Sequence, residues 1–145
     1  MTEIVLPQHT NAIGSVFGGT VMAWIDVCAA IVAQRHCGRI AVTAAVDDLV
    51  FLAPLRVGEV VRLAGRVNAT FRSSLEVEVQ VEREDARTMD RTLCVTALLT
   101  FVSIGDDGKP SAVPPLLDET HEDRKRAQDA VERRAARLSR KRSSA

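Results

Sequence analysis

Cysteine is scarce in this chain, and the three present, Cys28, Cys37 and Cys94, have no metal-ligand spacing. No structural metal centre is expected, and the odd number fits a reducing cytoplasm better than an oxidising compartment. Cys28 and Cys94 lie in apolar patterns and are expected to be small core residues. Long hydrophobic runs are missing too. The longest, Val21–Ala33, is interrupted by Asp26 and is too short to span a bilayer. The opening residues MTEIVLPQHT contain no basic stretch followed by an apolar one, so no signal peptide is expected. Internal repeats and low-complexity tracts are absent. The basic C-terminal stretch contains no aromatic residue that could stack on bases, which argues against a nucleic-acid partner.

What is present suits one soluble globular domain. The 145 residues are enough for a real core, and 46% apolar with 26% charged residues is ordinary for such a domain. A net charge of zero hides an asymmetry. Residues 121–145 hold nine Lys or Arg and four Asp or Glu, about +5, so the first 120 residues carry about −5. This end reads as a solvated helix, or as a surface for phosphates or an acidic partner. Residues 118–145 are therefore set apart, as a basic C-terminal helix or partly disordered tail, from a domain over residues 1–117.

The run VMAWIDVCAAIVA, residues 21–33, is the most informative segment. A helix apolar on nearly every side is expected to be buried, and a carboxylate in its middle is costly unless hydrogen-bonded or neutral. Asp26 is thus either tied into a structural hydrogen bond or catalytic, with burial raising its pKa toward a useful value. At 3.6 residues per turn its own face carries Gly19, Met22, Ala23, Ala29, Ala30 and Ala33. The opposite face carries Val21, Trp24, Cys28, Ile31 and Val32. The bulky face is expected to fill a core, and the small face to admit another backbone or a ligand.

Gly18 and Gly19 open this helix, which should run to about His36 and stop at Gly38. Before it, residues 1–18 hold a short strand at most, then a loop. After it the period changes to two. Val61, Leu63, Val67, Ala69 and Phe71 oppose Arg62, Arg66, Asn68 and Thr70, and Leu75, Val77, Val79 and Val81 oppose Glu76, Glu78, Gln80 and Glu82. Long antiparallel strands are expected over residues 40–52, 60–71, 75–83 and 91–104, the last more central because it is more apolar throughout. A single curved sheet of four or five strands covers one helix only partly, so a symmetric dimer is expected to cover the face bearing Asp26.

The block Pro7–Asp26, N-x-x-G-x-x-F-G-G-x-x-M-x-x-x-D at its heart, resembles the acyl-CoA thioesterases of the hotdog fold. The nearest resemblance is to the bacterial short-chain acyl-CoA thioesterases and the cytosolic acyl-CoA hydrolases of animals. It continues through VDDLVFLAPLRVGEVV (residues 46–61), RSSLEVEV (residues 72–79) and TFV (residues 100–102), covering about residues 5–115. The F-x-x-P-x-x-x-G-E pattern marks only the fold, whereas the N-to-D block is narrower.

The resemblance implies an α+β hotdog fold, a long helix wrapped by an antiparallel sheet of about five strands. Two copies would join their sheets edge to edge, and such dimers often form hexamers. The implied active site lies at the dimer interface, with Asp26 as catalytic carboxylate, Asn11 its partner from the other protomer, and Gly19 offering its backbone N–H to the thioester carbonyl. Phe17, Gly18, Met22 and Thr43 are implied substrate-side neighbours, and Arg72-Ser73-Ser74 resembles the region that contacts the nucleotide end of CoA. CoA would enter only as part of the acyl-CoA substrate, with no metal or other cofactor.

The chemistry fits those residue types. A carboxylate can take a proton from water or attack the thioester itself. The N–H groups at a helix start suit an oxyanion, and the two glycines leave room for close approach. Gly19 and Asp26 lie two turns apart on one face, defining a groove about 10 Å long. Asn11 by itself reads more readily as a turn former in N-A-I-G, and only the resemblance gives it a part in the site. Asp47 and Asp48, adjacent on a strand, should face opposite ways as solvated or capping acids. His36 suits a helix end, His9 is given no role, and Ser73 and Ser74 lack a neighbouring His–Asp pattern. Two other functions fit less well. A hotdog hydratase or dehydratase would want a His four or five residues beyond Asp26, and a non-enzymatic acyl-CoA sensor would want a DNA-binding helix pair.

Overall fold

The computed structural model describes residues 1–143. The chain runs β1 (Thr2–Ile4), a 3-10 turn (Pro7–His9), α1 (Gly18–Cys37), β2 (Ala41–Phe51), β3 (Val60–Thr70), β4 (Ser74–Glu84), β5 (Arg91–Ser103) and α2 (His121–Ser143). The five strands form one sheet in the order β1-β3-β4-β5-β2, antiparallel at every pairing. β1 and β2 are the opposite edges, so α1, which joins them, must cross the sheet. The strand assignments made from alternation agree with this to within a residue or so at each end.

Period-two alternation builds the floor beneath α1. Leu75, Val77, Val79 and Val81 of β4 and Val95, Ala97, Leu99 and Phe101 of β5 are buried along one face, joined by Val61 and Leu63 of β3. α1 sets Val21, Ile25, Cys28, Ala29 and Ala33 onto them. At Gly65 of β3, an added Cβ would lie 2.9 Å from Val32 Cγ2 and 3.6 Å from Cys28 Sγ. Glycine therefore lets helix and strand approach closely. Gly38 closes α1 in the left-handed conformation, φ 68°, its N–H donating to the Gln34 carbonyl.

As expected for one sheet, α1 is covered only in part: Met22, Ala23, Asp26, Val27 and Ile31 are exposed in the protomer. The division of faces needs correction, because Ala29 and Ala33 lie in the core while Ile31 points out. One five-stranded sheet contacts only one side of a cylinder. Ala29 and Ala33 take the sheet side together with Val21, Ile25 and Cys28.

The other face of the sheet is not simply solvated. Residues 121–143 form a continuous helix, started by a reciprocal cap in which Asp123 accepts from the Glu119 and Thr120 amides and Thr120 Oγ1 accepts from the Asp123 amide. This α2 lies on the sheet face away from α1, with Ala130 fully buried. Beneath it Asn68 and Glu76, expected on an open face, are buried at 3% and 2% exposure. Arg133 grips Glu76 with Nε at 3.0 Å and Nη2 at 2.6 Å, and Asn68 Nδ2 donates to it at 3.0 Å. Arg137 pairs with Asp47 of β2 at 3.0 Å.

Candidate active site

The first turn of α1 exposes its donors. Phe17 precedes it without a side-chain cap, and the first amides with backbone acceptors are those of Thr20 and Val21, both bonding to the Phe17 carbonyl. Among the described residues the Gly18 and Gly19 amides have no acceptor, so they retain the positive end of the helix dipole. Gly19 faces open space, whereas a Cβ at Gly18 would meet the Phe51 ring at 3.6 Å.

From Gly19 a cleft of about 360 Å³ runs along α1 against β2. Gly19, Met22, Ala23, Ile25 and Asp26 form one wall, and Thr43, Val46, Leu49 and Leu99 the other. Apart from Asp26 and Thr43, the side chains lining it are apolar. Thr43 Oγ1 donates to Asp26 Oδ1 at 2.6 Å, which fixes the carboxylate and leaves Oδ2 without a protein partner among the described residues. Asp26 is exposed rather than buried in the protomer. The cost of desolvating it is therefore not incurred within one chain, and exposed Met22 and Val46 line the cleft beside it.

The second wall depends on two irregularities in β2. Its pairing with β5 shifts between Thr43 and Ala45 and again between Asp47 and Val50. Strict alternation would put Thr43 and Val46 on opposite faces. The shifts bring Thr43, Val46 and Leu49 to one side, and Asp48 is held at φ 42° within the second. Val46, Leu49 and Leu99 were not singled out from the sequence, because a bulge leaves no mark in hydrophobic periodicity. Asp47 and Asp48 are not a solvated pair, since Asp47 is engaged by Arg137.

The remaining sequence candidates lie outside this cleft in the protomer. Asn11 Oδ1 accepts from the Ile13 and Ser15 amides at 3.0 and 3.2 Å, stabilising its own loop. The Arg72-Ser73-Ser74 turn joins β3 to β4, with Ser74 in register with Val102 of β5, the partner of Val42. Its backbone is engaged: the Arg72 carbonyl accepts from Val113 and the Ser73 carbonyl from Ser103, while the Arg72 side chain is exposed. His9 stands edge-on to Trp24, ring centroids 5.1 Å apart, and His36 Nε2 meets the Pro114 carbonyl at 2.8 Å. All three cysteines are buried free thiols whose pKa values burial pushes up, so none is an activated nucleophile. No cluster of three or more metal-ligating side chains occurs among the described residues.

A carboxylate oriented by a hydroxyl, two helix-end donors and an apolar trough make a suitable arrangement for acyl transfer to water. Comparison with known proteins agrees. Residues 13–89 match the family model of the thioesterase superfamily. The uncharacterized acyl-CoA thioester hydrolase YkhA of Bacillus subtilis is 41% identical over 143 residues, covering 99% of this chain and 83% of that protein. A crystal structure of an apo-hexameric acyl-CoA thioesterase superposes with a TM-score of 0.91 at 38% identity, covering 97% of this chain and 90% of the other. The acyl-CoA hydrolase of Staphylococcus aureus, solved with butyryl-CoA, CoA and CoA disulfide, gives a TM-score of 0.91 at 37% identity over 99% of this chain and 90% of its own. Single alanine variants of that hydrolase replace an asparagine, an aspartate and a threonine, spaced along its chain as Asn11, Asp26 and Thr43 are here. Fold, relatives and family model agree: this chain belongs to the thioesterase superfamily.

Proposed function

We propose that this thioesterase hydrolyses acyl-CoA to a free fatty acid and CoA at a site completed by a second copy of the chain. The observation that carries the reading is the Thr43–Asp26 hydrogen bond of 2.6 Å inside an apolar cleft that ends at unpaired helix amides.

In this reading the acyl chain lies along Met22, Val46, Leu49 and Leu99, with its thioester toward the helix start beside Phe17 and Gly18. Thr43 holds Oδ1, and Oδ2 of Asp26 takes a proton from water as the water oxygen adds to the thioester carbon. The carbonyl oxygen becomes an oxyanion facing the Gly19 N–H. Its collapse breaks the C–S bond and releases the CoA thiolate, which takes up a proton. Asn11 of a second copy positions the water or the carbonyl, and the Arg72-Ser73-Ser74 turn meets the nucleotide end of CoA. CoA enters only as substrate, and no metal or other cofactor takes part.

Two features support a second copy. β2 is an unpaired edge, and its exposed Val46 lines the same cleft as exposed Met22 of α1, an apolar surface of the kind that marks an interface. Joining β2 to β2 of a partner would continue the sheet, desolvate Asp26 and supply the missing wall. Three such dimers forming a hexamer is the further expectation, and the similar acyl-CoA thioesterase above is hexameric. Residues 1–117 make the catalytic domain, and α2 is an appended basic helix. The protein works in the cytoplasm, with neither membrane nor nucleic acid as partner.

The test is release of free thiol from acyl-CoAs of increasing length, comparing wild type with Asp26→Asn. Turnover that falls at least about a hundredfold in the variant supports the reading, the scale of a lost catalytic base. Binding of CoA by folded protein without turnover would favour an acyl-CoA sensor. Undiminished turnover in the variant would remove Asp26 from the mechanism.

A further inference from the structure

The arginines of α2 do not all serve to fasten it. Four are half-buried: Arg126, Arg133, Arg134 and Arg137. Arg126 pairs with Glu122 and Asp123, Arg133 with Glu76, and Arg137 with Asp47. Arg134 is different. No described carboxylate forms an ion pair with it, and its neighbours one turn away, Ala130, Val131, Arg137 and Leu138, include no acid. Its guanidinium carbon instead sits 4.8 Å from the centre of the Phe71 ring. Phe71 is the last residue before the β3–β4 turn, and the next side chain, Arg72, is exposed and has no acidic partner among the described residues.

A guanidinium stacked on a ring is held by its face. Its five N–H donors point outward in the plane and remain available. Neither Arg134 nor Arg72 pairs with a carboxylate among the described residues, so each guanidinium keeps donors for an anion with several oxygens. The two half-buried serine residues of the turn add small hydroxyl groups at the same place.

We propose that Arg134 of α2 is a binding residue for the phosphorylated nucleotide end of the CoA substrate, acting beside the Arg72-Ser73-Ser74 turn. The proposal rests on the reading of that turn given under the proposed function. It gives the C-terminal helix a part in substrate recognition, and it makes the Phe71 ring a platform that orients the guanidinium.

The experiment compares two thioesters with the same acyl group: acyl-CoA, and acyl-pantetheine, which lacks the phosphorylated nucleotide. Arg134→Ala should raise KM for acyl-CoA about tenfold at unchanged kcat, the scale of one charge-assisted hydrogen bond, and leave KM for acyl-pantetheine at its wild-type value. Arg134→Gln, which keeps a long stem over Phe71 without the charge, should behave alike, and Arg134→Lys should recover part of the loss. Arg72→Ala is measured in parallel. If Arg72→Ala separates the two substrates and the Arg134 variants do not, the role of α2 is overturned while the reading of the turn stands. If neither position separates them, both fail. An equal rise in KM for both substrates overturns the proposal and makes Arg134 a structural residue.

Discussion

Replacing Arg133 by methionine tests what holds α2 to the sheet. Glu76 is 2% exposed, and three of its contacts are known: Arg133 at 3.0 and 2.6 Å and Asn68 at 3.0 Å. Arg133→Met removes two charge-assisted hydrogen bonds and leaves a buried carboxylate with one neutral donor. Breaking a fully buried pair from one side costs about 3–5 kcal/mol. Arg133 is a quarter exposed, at 26% of its side chain, so water partly replaces it and the lower end, ~3 kcal/mol, is expected. For a chain of this length that is a fall in Tm of about 10 °C. Because relaxed packing can compensate a removed pair, Glu76→Leu with Arg133→Met should recover most of the loss, giving a coupling energy of about 2–3 kcal/mol in a double-mutant cycle. Urea unfolding followed by circular dichroism, at one fixed protein concentration, measures all four proteins. Stability of Arg133→Met within about 0.5 kcal/mol of wild type, or single losses that simply add in the double variant, would refute the reasoning.

Other predictions follow from the same packing. Gly65→Ala drives a methyl to 2.9 Å from a stiff valine and should cost about 1–3 kcal/mol in the same unfolding assay. The Asp123 carboxyl is held below its ordinary pKa, chiefly by the Thr120 backbone N–H, so the cap contributes stability above about pH 4 and loses it as the pH falls through the folded value. Amide protection factors in the first turn of α2, taken against the intrinsic exchange rate at each pH, should fall in acid, and Asp123→Asn should abolish that fall. Burial raises the pKa of Cys28, Cys37 and Cys94, so each should resist alkylation at neutral pH in the native protein and react readily in denaturant. The unfolded chain ionises these thiols first, so stability should also decline as the pH rises above about 8.5.

The order of elements, the strand boundaries and the start and stop of α1 follow from local chemistry and could be read along the chain. Alternation of Leu75, Val77, Val79 and Val81 identifies a core face because side chains on a strand must alternate, and Gly38 ends a helix because it takes a positive φ without strain. The glycines beside a helix start, and a carboxylate two turns on, are set by the helical repeat alone, which is why Gly19 and Asp26 line one cleft. Tertiary structure decided the rest. Whether Asp26 was buried depended on how much of a helix one sheet can cover, and the protomer leaves it open. Thr43, Val46 and Leu49 came to one side through register shifts that depend on the partner strand β5, so no window of β2 sequence encodes them. Glu76 and Asn68 had the alternation of exposed residues and became buried because a helix more than forty residues later covers them. Periodicity shows which residues share a face; what covers that face is settled by contacts between segments far apart in the chain.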